Sequence, residues 1–257
     1  MRSPLVTSHA ACKGHAPENT LAGIESALRL GADAIEIDVH CTSDGAVVLI
    51  HDDTVDRTTD GRGRIGDLTL AEVKRLDAGA KFGPAFRGER IPTLRELIDL
   101  VKASGKDRFR LNLEIKFAEG REGQPADLEE RVLAVLAETN FLDRVITQSF
   151  YHPSAAKMKR LAPRIPAGLL VGQRRQPADP VAAVRDHRVD YYAPHHSLVT
   201  PDLLRMLHQA DIPVVTWTVN DPADMRRLMG MGLGSLPGDG MISDYPDRLV
   251  NLRKTRQ

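Results

Sequence analysis

Short runs of apolar, β-branched residues alternate along this chain with longer segments whose apolar positions recur at helical spacing. That is the pattern of βα units built on a parallel sheet. Nine runs read as strands: 4–8, 34–39, 46–50, 109–115, 144–149, 165–171, 189–193, 212–218 and 240–243. Helical signals fall between most of them. Thr69 with Glu72 and Thr93 with Glu96 have the spacing of capping boxes, in which hydroxyl and carboxylate satisfy the free N–H groups of a first turn. Thr200 before Pro201 and Asp221 before Pro222 read as N-caps followed by a first-turn proline. No internal repeat or low-complexity tract interrupts the series.

Nine strands are one too many for a (β/α)8 TIM barrel, the α/β fold that this alternation and a length of 257 residues favour. The link between Val39 and Ala46 is too short for a parallel crossover, which needs about a dozen residues. It contains Asp44-Gly45, a favoured two-residue hairpin turn. Residues 46–51 are therefore expected to run antiparallel to an extended second strand as a β-hairpin at the barrel mouth, leaving eight staves. With that turn, Ser43 faces Ala46 and Asp38 falls opposite His51. Glu36 shares the face of Asp38, because side chains in a strand repeat every second residue. A slip of one residue would turn them to the other face. The stretch between His51 and Thr93 is rich in Gly, Arg and Asp, with one short helix near 70–76. It is long for a barrel loop and reads as a lid-like insertion over about 52–92 within a single catalytic domain spanning 1–257. A surface decoration is the alternative.

Composition narrows the class. The chain is 42% hydrophobic and 27% charged, enough apolar material for a sizeable core. Lys plus Arg and Asp plus Glu both number 35, so no general attraction to nucleic acid or an anionic membrane is expected, although a local basic pocket stays open. Cys12 and Cys41, the two cysteines, do not suggest a disulfide framework. Residues 1–11 lack the apolar core of a signal peptide, and no stretch approaches the roughly 18 apolar residues of a membrane span. The expectation is a cytoplasmic protein.

Candidate chemistry gathers where strands end. His9 closes the first strand, Glu36 and Asp38 sit in the second, His51 closes the hairpin, and Glu114 sits near the end of the next stave. A barrel brings the C-terminal ends of its strands to one cavity. Any one of these acids alone is more often a solvated cap; three together would repel one another unless a hard divalent cation, Mg²⁺ or Ca²⁺, took their oxygens. Zinc fits less well, since it recruits His or Cys. His9 and His51 suit acid–base work because imidazole titrates near neutral pH; which is acid and which is base is not readable here. Lys116, on the face of Glu114, can reach a phosphate oxygen or snorkel at the rim. Trp217, the single tryptophan, is either an apolar wall for an alcohol group or plain core.

At these positions the chain resembles the glycerophosphodiester phosphodiesterase family. The matching text is Ala16-Pro17-Glu18-Asn19-Thr20, residues 31–39, residues 47–54 through Asp56-Arg57-Thr58-Thr59, Leu113-Glu114-Ile115-Lys116, Ser149-Phe150, Trp217-Thr218-Val219-Asn220 and Ile242-Ser243-Asp244-Tyr245-Pro246. The resemblance covers nearly the whole chain in order. It implies a phosphodiesterase barrel with an insertion after the second strand, a cation on Glu36, Asp38 and Glu114, acid–base roles for His9 and His51, and a phosphate contact from Lys116. The implied reaction is metal-dependent hydrolysis of a small glycerophosphodiester to glycerol 3-phosphate and an alcohol. A lysophospholipase D-type enzyme on the same barrel and a degenerate binding barrel are the alternatives; the oligomeric state is not legible. One departure stands out. The family reads His-Arg-Gly where this chain has His9-Ala10-Ala11, so a bidentate phosphate clamp is lost. Lys13 is the candidate replacement for its charge.

Overall fold

The computed structural model describes residues 3–116 and 127–254. Among the described residues nine strands form, one overlapping each predicted run, with β2 and β7 ending two residues and one residue later than expected: β1 (Leu5–Ser8), β2 (Ala34–Cys41), β3 (Val47–Leu49), β4 (Arg110–Ile115), β5 (Val145–Ser149), β6 (Ala167–Val171), β7 (Tyr191–Pro194), β8 (Val215–Thr216) and β9 (Gly240–Ser243). Eight are parallel staves in the order β7-β6-β5-β4-β2-β1-β9-β8, with β3 pairing only β2. Bridges from Tyr192 to Val214 and from His195 to Trp217 bring β7 against β8, so the sheet closes almost completely into a TIM barrel. The helices between the staves are α1 (Leu21–Leu30), α2 (Leu70–Val73), α3 (Leu94–Ala103), α4 (Leu128–Glu138), α5 (His152–Leu161), α6 (Pro180–Asp186), α7 (Pro201–Gln209), α8 (Pro222–Gly230) and α9 (Pro246–Lys254).

Both predicted capping boxes are made, at α2 and α3. Thr200 and Asp221 cap α7 and α8, each just ahead of its proline. α3 buries Leu94, Leu97, Ile98 and Val101, an i, i+3, i+4, i+7 stripe that lays one helical face on the sheet. The main core therefore lies between the outer face of the barrel and its helices, with Ile35, Ile37, Leu111, Leu113 and Leu169 contributed by the strands. Inside the barrel the filling is uneven. Ile146, Leu170, Tyr191, Ala193, Val215, Trp217 and Ile242 form an apolar cluster, whereas β2 and β4 send in Glu36, Asp38, Asn112 and Glu114. Gly168 admits the Tyr191 ring, which lies within 2.5 Å of where a Cβ would stand.

The hairpin is present, but its register differs from the sequence expectation by one residue. Val39 pairs with Leu49 and Cys41 with Val47, and the Thr42 amide donates to the Ala46 carbonyl at 3.0 Å. Asp44-Gly45 is thus the latter part of a three-residue loop, Ser43 to Gly45. Gly45 takes the left-handed conformation at φ 84° that such a loop requires. The Thr42 hydroxyl holds the loop by donating to Asp44 and accepting from the Ala46 amide. Asp38 consequently stands opposite Ile50, whose amide donates to its carbonyl, and not opposite His51. Because β3 ends at Leu49, alternation no longer constrains His51. The segment from there to Thr93 packs its own small core of Val48, Ile50, Val55, Ile65, Val73, Ala78 and Ile91.

Candidate active site

Adjacent staves carry the acidic group. Asp38 pairs with Glu114 and Glu36 with Asn112 in the β2–β4 register, so Glu36, Asp38 and Glu114 face one interior. All three are buried, and one oxygen from each lies within 4.8 Å of the others. The group is pinned from behind. Asn19 donates to Asp38 Oδ2 at 2.8 Å and accepts from the Asp38 amide at 3.1 Å. Its own backbone is left-handed, φ 55°, a conformation asparagine tolerates. The Ala10 amide donates to Glu36 Oε2 at 3.0 Å. Lys116 Nζ lies 2.6 Å from Glu114 Oε1 and 2.9 Å from Asp38 Oδ1; the latter contact lacks hydrogen-bond geometry and leaves Asp38 Oδ1 a buried, unsaturated acceptor.

One ammonium does not neutralise three buried carboxylates. Burial, and then the charge of Asp38, pushes Glu36 well above the usual carboxylate range. Burial also raises Glu114, against the pull of Lys116. In Asp38 burial is outweighed by Lys116 and His51, and its carboxyl stays below the ordinary range. An all-oxygen donor set with an unsaturated oxygen, in which burial and mutual repulsion oppose ionisation of two of the three acids, fits a hard divalent cation. It is the one such group among the described residues.

Two histidines flank these acids. His9 follows β1, with Nε2 3.9 Å from Glu36 Oε2 and Nδ1 2.5 Å from Asp244 Oδ1. Asp244 follows β9 and is itself held by Asn220, whose amide group donates at 2.7 Å to Oδ2. Burial works against a charged His9, but the bond to Asp244 and the Glu36 charge prevail and raise its pKa to about 9. His51 bears on the other side, close enough for its charge to act on both Asp38 and Glu114. Its Nδ1 lies 2.8 Å from Asp52 Oδ1. Arg57 grips Asp52 and extends to Glu18, 2.9 Å from Nη1 to Oε2. In each histidine a carboxylate takes Nδ1–H and leaves Nε2 for other chemistry.

The other predicted residues sit around this centre. Lys13 Nζ lies 3.5 Å from Glu18 Oε2, which ties it to the Arg57 network beside His51. Ala10 and Ala11, in the place of the missing clamp, are buried and left-handed at φ 44° and 69°. Trp217 stands on the opposite wall. Its Nε1 donates to the Ala193 carbonyl at 2.8 Å, and its ring meets Phe150 and His195 edge-to-face, both at 5.3 Å.

Sequence reasoning assigned no role to Asp244, Asn220, Asn19 or Asp52. Each lies in or beside the short motifs quoted above, one to four residues past a strand or before a helix, where a polar side chain can reach the mouth. That position was the available signal. His40 was also overlooked; its Nε2 faces the His51 carbonyl at 3.4 Å, and burial lowers its pKa to about 4.

Comparison with known proteins places this geometry in context. Residues 9–248 match the model of the glycerophosphoryl diester phosphodiesterase family. A glycerophosphodiester phosphodiesterase of Caldanaerobacter subterraneus is 40% identical over 96% of this chain and 97% of that protein. A phosphodiesterase of Oleispira antarctica, solved with the product sn-glycerol-3-phosphate, superposes with a TM-score of 0.84 at 32% identity, covering 98% of this chain and 97% of that one. A structure from Silicibacter pomeroyi gives a TM-score of 0.85 at 28% identity over 98% and 94% of the two chains.

Proposed function

The chain belongs to the glycerophosphoryl diester phosphodiesterase family, and from that premise we propose that it hydrolyses glycerophosphodiesters to glycerol 3-phosphate and an alcohol. We further propose that Glu36, Asp38 and Glu114 hold a hard divalent cation, Mg²⁺ or Ca²⁺, for this reaction. The observation that carries the reading is the convergence of three buried carboxylates, one oxygen of each within 4.8 Å of the others, set between two histidines that each keep Nε2 open. The product bound by the Oleispira antarctica protein supports the identity of the phosphate half.

A cation held by Glu36, Asp38 and Glu114 would supply Lewis-acid charge to the phosphate. Lys116 sets a second positive charge beside it, where negative charge shifts in the transition state. The bond from Asp244 raises the pKa of His9 and favours its protonated form, and its Nε2 proton passes to the departing alcohol oxygen as that P–O bond breaks. His51 Nε2 takes the proton of the oxygen attacking phosphorus. Asp244 and Asp52 hold the two rings in the tautomer that permits this. Lys13 adds charge at the position vacated by the clamp, and Trp217 forms an apolar wall on the alcohol side. The chain acts as one catalytic domain, with 52–92 inserted beside the mouth. Among the described residues no helix is long and apolar enough to cross a membrane, and the free, buried Cys12 and Cys41 support a cytoplasmic place of action.

The test is release of glycerol 3-phosphate from glycerophosphoethanolamine by the purified protein. Turnover should vanish in EDTA and return with Mg²⁺ or Ca²⁺, while Glu114→Gln stays inactive under both conditions. Turnover indifferent to EDTA would remove the cation from the reading, and no turnover of any glycerophosphodiester would remove the reaction.

A further inference from the structure

The acids, both histidines and Lys116 all come from β1 to β4 and the hairpin, with Asp244 after β9. That is one half of the mouth. The other half contains a groove of about 840 Å³ between the loop that follows β5 and the loop that follows β6, walled by Phe150, Tyr151, His152, Leu170 and Arg175. Strand register ties it to the acidic centre. Glu114 pairs with Gln148, and Phe150 follows immediately on the end of β5, its ring against Trp217 of the inner apolar cluster. Gln148 in turn pairs with Gly168, which puts Leu170 on the matching face of β6. At the junction Gln148 Oε1 is buried and has no hydrogen-bond partner, an acceptor turned neither to backbone nor to solvent.

The groove is aromatic and apolar along its length and has a single fixed charge. Phe150 is 50% exposed although its ring meets Trp217 edge-to-face, so a large apolar surface stands open on the wall across from the acids. His152 is committed to the Leu170 carbonyl at 3.0 Å, and burial holds its pKa below the ordinary value. Among the described residues no carboxylate lines the groove. Arg175 is exposed on the loop after β6, and no acid among the described residues pairs with it.

We propose that this groove receives the alcohol half of the diester and that Arg175 selects alcohols bearing an anionic group, a carboxylate or a phosphate. The proposal rests on the hydrolase reading above and adds the substrate class. A guanidinium fork matches the geometry of either anion. An alcohol carrying only an ammonium group meets like charge there, with no acid to offset it; the aromatic walls alone would have favoured such a cation.

Glycerophosphoserine and glycerophosphoethanolamine differ by one carboxylate, and glycerophosphoglycerol serves as a neutral reference. The wild-type kcat/KM for the serine diester is expected to exceed that for the ethanolamine diester by about tenfold, the scale of one charge-assisted hydrogen bond. Arg175→Gln should lose that advantage, the serine diester slowing and the ethanolamine diester holding its rate or gaining as the like charge goes, while the rate on the glycerol diester stays put, and Arg175→Glu should reverse the order. Arg174→Gln, altered one residue away from the groove wall, should leave the ratio unchanged. Equal rates on the serine and ethanolamine diesters in the wild type, an equal loss on all three in Arg175→Gln, or the same loss from Arg174→Gln would each overturn the proposal. Total inactivity on all three would instead refute the hydrolase reading.

Discussion

Asn in place of Asp244 keeps the shape of the side chain bonded to His9 Nδ1 but removes its charge. His9 is raised to about 9 against the cost of burial, chiefly by that bond and then by Glu36. If protonated His9 is the acid, activity falls as pH rises through its pKa. In Asp244→Asn the alkaline limb of the kcat/KM profile should move toward neutral by a unit or more, with a loss of about 10–100-fold at pH 8. An unshifted limb would assign the proton to another group. The residue scale was only partly legible in sequence. His9, Glu36, Asp38, His51 and Glu114 could be singled out because each has a side chain that either binds cations or titrates near neutral pH. Asp244 and Asn220 lie more than two hundred residues from His9 and carry no distinguishing chemistry until the barrel closes β9 onto β1. The Lys13 expectation met a further limit: the sequence offered a cation but not Glu18, which sits 3.5 Å from it.

Five helices of this chain end by the same device. A residue in the left-handed region follows the helix, and the next amide reaches back five residues: Ala32 to Ala27, Phe141 to Leu136, Val189 to Val184, Ile212 to Leu207 and Leu233 to Leu228. The left-handed positions are Gly31, Asn140, Arg188, Asp211 and Gly232. Glycine takes that conformation without the clash between Cβ and backbone that other residues incur. Arg188, at φ 55° and exposed, has no reason in packing to be large. Arg188→Gly should therefore stabilise the protein by about 1 kcal/mol, measured as a higher urea midpoint at constant slope. No change would mean that the lost guanidinium contributes as much as the relieved backbone. Elements of this kind were readable in advance because their signals are local: capping hydroxyls, first-turn prolines, apolar stripes. The hairpin register was not, because Asp44-Gly45 suits both a two-residue turn and the end of a three-residue loop. The Thr42 hydroxyl, bonded to both Asp44 and Ala46, decides for the longer one.

At the scale of the whole molecule, alternation of strand and helix was enough to indicate the barrel, since parallel staves need crossovers and a closed sheet needs no edge. What alternation does not reveal is how the interior divides between an apolar cluster on one side and three buried acids on the other. That division has a cost. Without a cation the charges set against the triad are those of Lys116 on Asp38 and Glu114 and of His9 beside Glu36, and burial opposes ionisation of Glu36 and Glu114. A ligand that binds only the folded chain stabilises it by mass action, about 2.7 kcal/mol at a hundredfold excess over Kd. For a chain of this size that corresponds to a rise in Tm of roughly 5–10 °C. Adding Mg²⁺ or Ca²⁺ to EDTA-treated protein should produce such a rise, and Glu36→Gln should abolish most of it. The same substitution removes a buried charge that the cation-free fold disfavours, so without metal the variant should be as stable as the wild type or more so. Opposite signs in the two states would separate a cation site from an ordinary structural carboxylate, whose loss would lower Tm equally with and without the ion.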